Sequence, residues 1–215
     1  MTWTAIDDPL VIVPVGSCEQ HGPHLPLHTD TIVAEALARD LAIRRNDCVI
    51  APTLTITASG EHAGFPGTLS IGTDVMTHVV VELARSAEWA AGVIFVNGHG
   101  GNVTAMERAS HVLADEGREV LIWWPRLPDG DPHAGHTETS LMLALSPDEV
   151  RFEASVAGPI PAMADLVRFG VRELSESGVL GDPTTATAEH GAALFTSLAD
   201  HLAGAVADWV ASERP

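Results

Sequence analysis

The sequence is short of basic side chains: 11 Lys and Arg stand against 29 Asp and Glu in 215 residues, a formal net charge of −18 with histidine neutral. Such an acidic surplus repels phosphate backbones and anionic lipid heads at long range, and no Lys/Arg cluster offers a local exception, so nucleic acid is not an expected partner. Cysteine is scarce too. Cys18 and Cys48 fall far below the density of a disulfide-built secreted domain and fit a reducing compartment. The first residues lack a basic stretch followed by an apolar one, and no run approaches the roughly 18 apolar residues of a membrane span. A cytoplasmic protein with no membrane partner is the expectation. The phosphate-cradling patterns G-x-G-x-x-G and G-x-x-x-x-G-K-[ST] are missing, which argues against a nucleotide-binding module. No internal repeat, low-complexity tract or charge block interrupts the chain.

What is present is enough apolar side chain for a sizeable core, at 46% hydrophobic and 19% charged, and one domain over 1–215 is expected. Leu10-Val11-Ile12-Val13-Pro14-Val15 is apolar on both faces and ends in Gly16-Ser17, as a buried parallel strand entering a loop does. Helical spacing of Ile32, Val33, Ala36, Leu37 and Leu41 behind Thr29-Asp30 predicts a helix over about 30–45. Further strands are read at 48–51, 69–71, 92–96 and 120–124, with helices after Asp74, after Asn102, over 140–145 and over about 187–212. Alternation of this kind predicts an α/β three-layer αβα sandwich with a mostly parallel sheet. Residues 152–185, rich in Gly and Pro with weak periodicity, read as an excursion that covers the site or meets another subunit.

The histidines collect at strand exits: His21, His24 and His28 after the first strand, His99 after a later one, His133 and His136 after the next. In a parallel sheet these exits open on one edge, where ligands bind. Glu19 and His21 project to the same side of an extended segment, and Asp30 opens the following helix. With His99 and an acid from Thr137-Glu138-Thr139-Ser140 they offer three carboxylates, two imidazoles and no thiolate. That set suits Zn²⁺, Mn²⁺ or Fe²⁺, and carboxylates can bridge two ions. Taken singly, each residue has a plainer explanation: Glu-x-His is common, Gly98-His99-Gly100-Gly101 is a tight turn, and Asp30 is a helix cap. Their coincidence at one sheet edge is what points to a hydrolytic dinuclear centre.

The ordered motifs resemble the creatininase (creatinine amidohydrolase) family: Gly16-Ser17-Cys18-Glu19-Gln20-His21-Gly22-Pro23-His24-Leu25-Pro26, Thr29-Asp30-Thr31, Gly60-Glu61-His62, Phe65-Pro66-Gly67-Thr68, Asn97-Gly98-His99-Gly100-Gly101-Asn102, and His133-Ala134-Gly135 leading to Glu138-Thr139-Ser140. The likeness covers about 10–150 and extends through Gly178-Val179-Leu180-Gly181-Asp182-Pro183. Within the family the motifs are most similar to the mycofactocin-associated branch, whose substrate is a modified precursor peptide.

The resemblance implies that Glu19, Asp30 and His99 hold one metal and that His21 and Asp30 hold the other, with Asp30 as the bridge. In creatininase an acid two places after the His99 equivalent completes the second metal, whereas here that position is Gly101. Glu138 is the expected substitute, as a ligand with a catalytic role. His133 matches the histidine that gives a proton to the leaving nitrogen, and the acid preceding it in creatininase is Pro132 here. The family implies two divalent ions per chain, zinc, iron or manganese, that activate water against an amide carbonyl, with His133 as the acid an amine leaving group requires. A peptide substrate is expected first, creatinine or another small amide or formamide second. Self-association as a hexamer or related ring is implied by resemblance alone. A catalytically silent oligomeric scaffold is the reading of another class, and it predicts no bound transition metal.

Of the remaining residues, Glu61 and His62 are expected beside the ligands or in the pocket wall, and Phe65-Pro66-Gly67-Thr68 as a shaping turn. Of the adjacent pair Trp123 and Trp124, one should enter the core and the other face the substrate. Cys18 has no partner base to make it a nucleophile. His190 and His201 read as surface or packing residues.

Overall fold

A computed structural model describes residues 2–127 and 130–213. The uninterrupted apolar run at the N-terminal end forms β1 (Leu10–Val15), buried at every position. It pairs in parallel with β2 (Cys48–Ile50) on one side and β3 (Gly92–Asn97) on the other, and β3 pairs in parallel with β4 (Val120–Trp123), giving the order β2-β1-β3-β4. Side chains alternate along β1. Leu10 and Ile12 pack with α1 (Thr29–Arg44), α4 (His136–Leu145) and α6 (Ala188–Glu213), while Val11, Val13 and Val15 pack with α2 (Thr73–Ser86) and α3 (Val103–Asp115). Two apolar layers on opposite faces of one parallel sheet make the three-layer α/β arrangement. Among the described residues no helix is long and apolar enough to cross a membrane.

Three local departures from the sequence expectations have physical causes. Residues 69–71 form no strand. Leu69 makes a lone antiparallel bridge with Cys18, its N–H donating to the Cys18 carbonyl at 2.8 Å, so this segment buttresses the loop after β1 instead of extending the sheet. The helix expected over 140–145 begins at His136, because the Asp131 carboxylate accepts from the N–H groups of His136 and Thr137 and satisfies its first turn. The 152–185 excursion contains α5 (Met163–Leu174), broken at Gly170 where φ is 72°, and then buried Val179 and Leu180. The Leu180 and His133 backbones form an antiparallel bridge, so the excursion flanks the strand-exit edge.

Candidate metal centre and active site

β1 and β3 are neighbours with Val15 opposite Asn97, so the loops that leave them emerge side by side. Two glycines let the start of α1 close against both exits. A Cβ on Gly16 would lie 2.2 Å from the Thr31 hydroxyl, and one on Gly98 would lie 2.7 Å from the Asp30 carbonyl oxygen. The loop after β1 is pinned from across the chain. The Gln20 N–H donates to the Thr68 hydroxyl at 3.0 Å, and the Ser17 hydroxyl donates to Asp30 Oδ2 at 2.6 Å. The loop after β3 is tied by its own asparagines: the Asn97 amide donates to the His99 carbonyl at 2.8 Å, and Asn102 joins Asn97, Gly16 and Ala58.

These supports gather the predicted side chains in a buried cluster. Asp30 turns one oxygen to His21 Nε2 at 3.3 Å and the other to His99 Nδ1 at 3.1 Å. Glu19 Oε2 lies 3.0 Å from His99 Nε2. Donor atoms of Glu19, His21 and Asp30 lie within 4.8 Å of one another, as do those of His21, His133 and Glu138. The expected trio of Glu19, Asp30 and His99 does not share one focus through a single His99 atom, since His99 meets Glu19 through Nε2 and Asp30 through Nδ1. His24 packs apart from the cluster against the Thr139 hydroxyl, and His28 pairs with Glu149 nearer solvent.

Burial pushes Glu19 up to about 8 and Glu138 to about 7. Burial also opposes charge on His21, His99 and Asp30, but their mutual attraction prevails: His21 rises to about 9, His99 goes well above and Asp30 well below its ordinary value. Burial, helped by the like charges of His21 and His62, holds His133 well below the usual histidine range. Both Glu19 oxygens are sealed from water and accept no well-directed hydrogen bond. A divalent cation would satisfy that carboxylate, and an all-oxygen and imidazole donor set suits zinc, manganese or iron.

One organising residue escaped the sequence reading. The Gln20 amide nitrogen reaches His62 Nδ1 and the Gly178 carbonyl, each at 3.0 Å, and the Gln20 backbone carbonyl accepts from His133 Nε2 at 2.8 Å. The same Nε2 lies 3.1 Å from the Gln20 amide nitrogen, and Nδ1 faces Glu19 and Glu138, 3.8 and 4.0 Å away. Its only sequence signal is its place between Glu19 and His21. Beside the cluster opens a cleft of about 340 Å³, walled by Trp124, Leu127, Leu141 and Met163 and floored by Asp30, His99 and Glu138. Trp123, by contrast, is in the core, its indole N–H donating to His201 at 3.0 Å.

Comparisons with known proteins bear on the family and the fold. The family profile described as Creatininase: Creatinine amidohydrolase matches residues 1–206. A relative from Mycobacterium tuberculosis (strain CDC 1551 / Oshkosh), named mycofactocin precursor peptide peptidase, is 50% identical over 94% of this chain and 86% of its own length. A solved structure titled creatininase Mn superposes with a TM-score of 0.77 at 25% identity, covering 97% of this chain and 96% of that one. Another, a creatininase variant of Zn-Zn type, gives 0.78 at 25% identity over 97% and 95%.

Proposed function

The chain belongs to the creatininase (creatinine amidohydrolase) family, and on that premise we propose that it is a two-metal peptidase that removes the C-terminal fragment of the modified mycofactocin precursor peptide. It is a hydrolase of amide bonds. The observation that carries the peptide reading is the 50% identity to a peptidase of that name, twice the 25% shared with the creatininases above.

Glu19 and His99 would hold one ion, and His21, Asp30 and Glu138 the other, with Asp30 reaching the first ion once His99 presents a single nitrogen to both carboxylates and Glu138 standing in for the acid absent at Gly101. Zinc, iron and manganese all suit these ligands. Ions held there would supply Lewis-acid polarisation of the amide carbonyl and a water nucleophile at neutral pH. His133 enters the reaction neutral, its Nε2 hydrogen committed to the Gln20 carbonyl, so Nδ1 is the atom that takes up a proton and delivers it to the leaving nitrogen. Trp124 and its apolar neighbours seat the peptide segment beside the scissile bond and exclude water from it. The whole chain works as one cytoplasmic domain that assembles into a hexamer or related ring. Apolar side chains exposed on and beside α5, Ile160, Met163 and Val167, support such an assembly.

The test is incubation of metal-loaded protein with the matured precursor peptide, followed by mass spectrometry beside an EDTA-treated control. Loss of a C-terminal fragment, abolished by EDTA and by His99→Ala, is the expected result. An intact peptide with metal bound would overturn the peptide assignment and make creatinine and other small amides the next substrates. Protein that takes up no metal would overturn the enzyme reading in favour of a scaffold.

A further inference from the structure

Glu61 approaches the centre from outside the two strand-exit loops. Its Oε1 lies 3.3 Å from His99 Nε2, and donor atoms of Glu19, Glu61 and His99 come within 4.8 Å of one another. The space it uses belongs, by backbone geometry, to residue 101. A Cβ on Gly101 would fall 1.9 Å from Glu61 Oε1 and 2.5 Å from His99 Nε2, so any side chain there and this carboxylate exclude each other. Glu19, facing the same spot, is fully buried, and neither oxygen accepts a well-directed hydrogen bond, although His99 Nε2 and His62 Nε2 lie 3.0 and 3.4 Å away. A buried carboxylate with no directed donor is one that a cation would satisfy, and this holds wherever Glu61 sits.

The turn that carries Glu61 is held on both sides. Inside, the Ala58 N–H donates to the Asn102 amide oxygen at 3.0 Å and the Ser59 N–H to the Ser70 hydroxyl at 2.9 Å. Outside, the break in α5 brings Gly170 so close that a Cβ there would touch the Glu61 carbonyl at 3.0 Å. A carboxylate fixed in this way costs little ordering entropy when it binds an ion.

We propose that Glu61 is a ligand of the ion held by Glu19 and His99, and that residue 101 is glycine to leave this carboxylate its place. The inference rests on the two-metal reading and adds a donor to it. Its test is metal content by elemental analysis and affinity by chelator competition, on wild type and Glu61→Gln loaded with Mn²⁺ or Zn²⁺. One of two equivalents should weaken at least tenfold in Glu61→Gln while the other stays. Wild type with two equivalents and a variant equal to it would overturn the proposal and leave the two-metal reading intact, whereas wild type that binds none would overturn both. A crystal structure of the loaded wild type needs no variant: a Glu61 oxygen about 2.0–2.2 Å from the ion is expected, and a carboxylate turned away from it refutes the assignment.

Discussion

The Ser17 hydroxyl donates to Asp30 Oδ2 at 2.6 Å, across thirteen positions of chain and out of reach of water. Asp30 is the proposed bridge between two ions, and this bond fixes the direction of the oxygen that also faces His99. Ser17→Ala removes one of the groups that orient this carboxylate and leaves it to His21 and His99. Metal affinity should fall about ten- to a hundredfold, the range seen when a group that orients a ligand is removed. Chelator competition measures it, and unchanged affinity would show that α1 alone orients Asp30.

Asp131 accepts from the first two amides of α4, the helix that carries Glu138. Asp131→Ala should cost about 0.5–2 kcal/mol in urea denaturation, and Asp131→Asn less, because an amide oxygen can still accept. Equal losses in the two variants would mean that charge at the helix terminus matters more than the bonds.

Burial, with the nearby charge of His21, holds His24 at about 4 against an ordinary 6.5. In the unfolded chain His24 gains its proton first as pH falls, so the stability it confers is complete above 6.5 and lost as pH drops toward about 4. Metal-free wild type should therefore lose stability with acid more steeply than His24→Asn, by up to one proton's worth of slope in that window. Parallel stability curves for the two proteins would contradict this.

Trp124 walls the cleft whose floor holds Asp30, His99 and Glu138. Trp124→Ala should raise KM for the peptide roughly tenfold, a loss of about 1.4 kcal/mol, with kcat and metal content unchanged. A fall in kcat instead would place the indole against the reacting atoms.

The chemistry was legible in the sequence wherever a strand end made it local. β1 and β3 announce themselves as continuous apolar runs, and the acids and histidines follow them directly, so Glu19, His21, Asp30 and His99 can be read as one group before any coordinates. Gln20, Ser17 and Asp131 cannot, because their work lies in bonds whose partners carry no periodic signal. Gln20 shows this best: it holds His62, His133 and Gly178, residues brought to it only by the fold. Glu61 was legible as a neighbour of the ligands. Its closeness to His99 depends on the empty Cβ position at Gly101, which is a fact of three dimensions. The failed strand at 69–71 has a similar origin, since a short apolar stretch looks the same whether it joins a sheet or braces a loop.

The pairing of Val15 with Asn97 turns the centre into a gauge of the sheet beneath it. A slip of one residue between β1 and β3 would displace the two loops by about 3.3 Å, more than a metal–ligand bond length, and would turn Val11, Val13 and Val15 to the wrong layer. Ions would then find only half a set of donors. Under the two-metal reading proposed above, binding would select correctly registered chains and stabilise them by mass action, so occupancy would serve as an audit of folding as well as of hydrolysis.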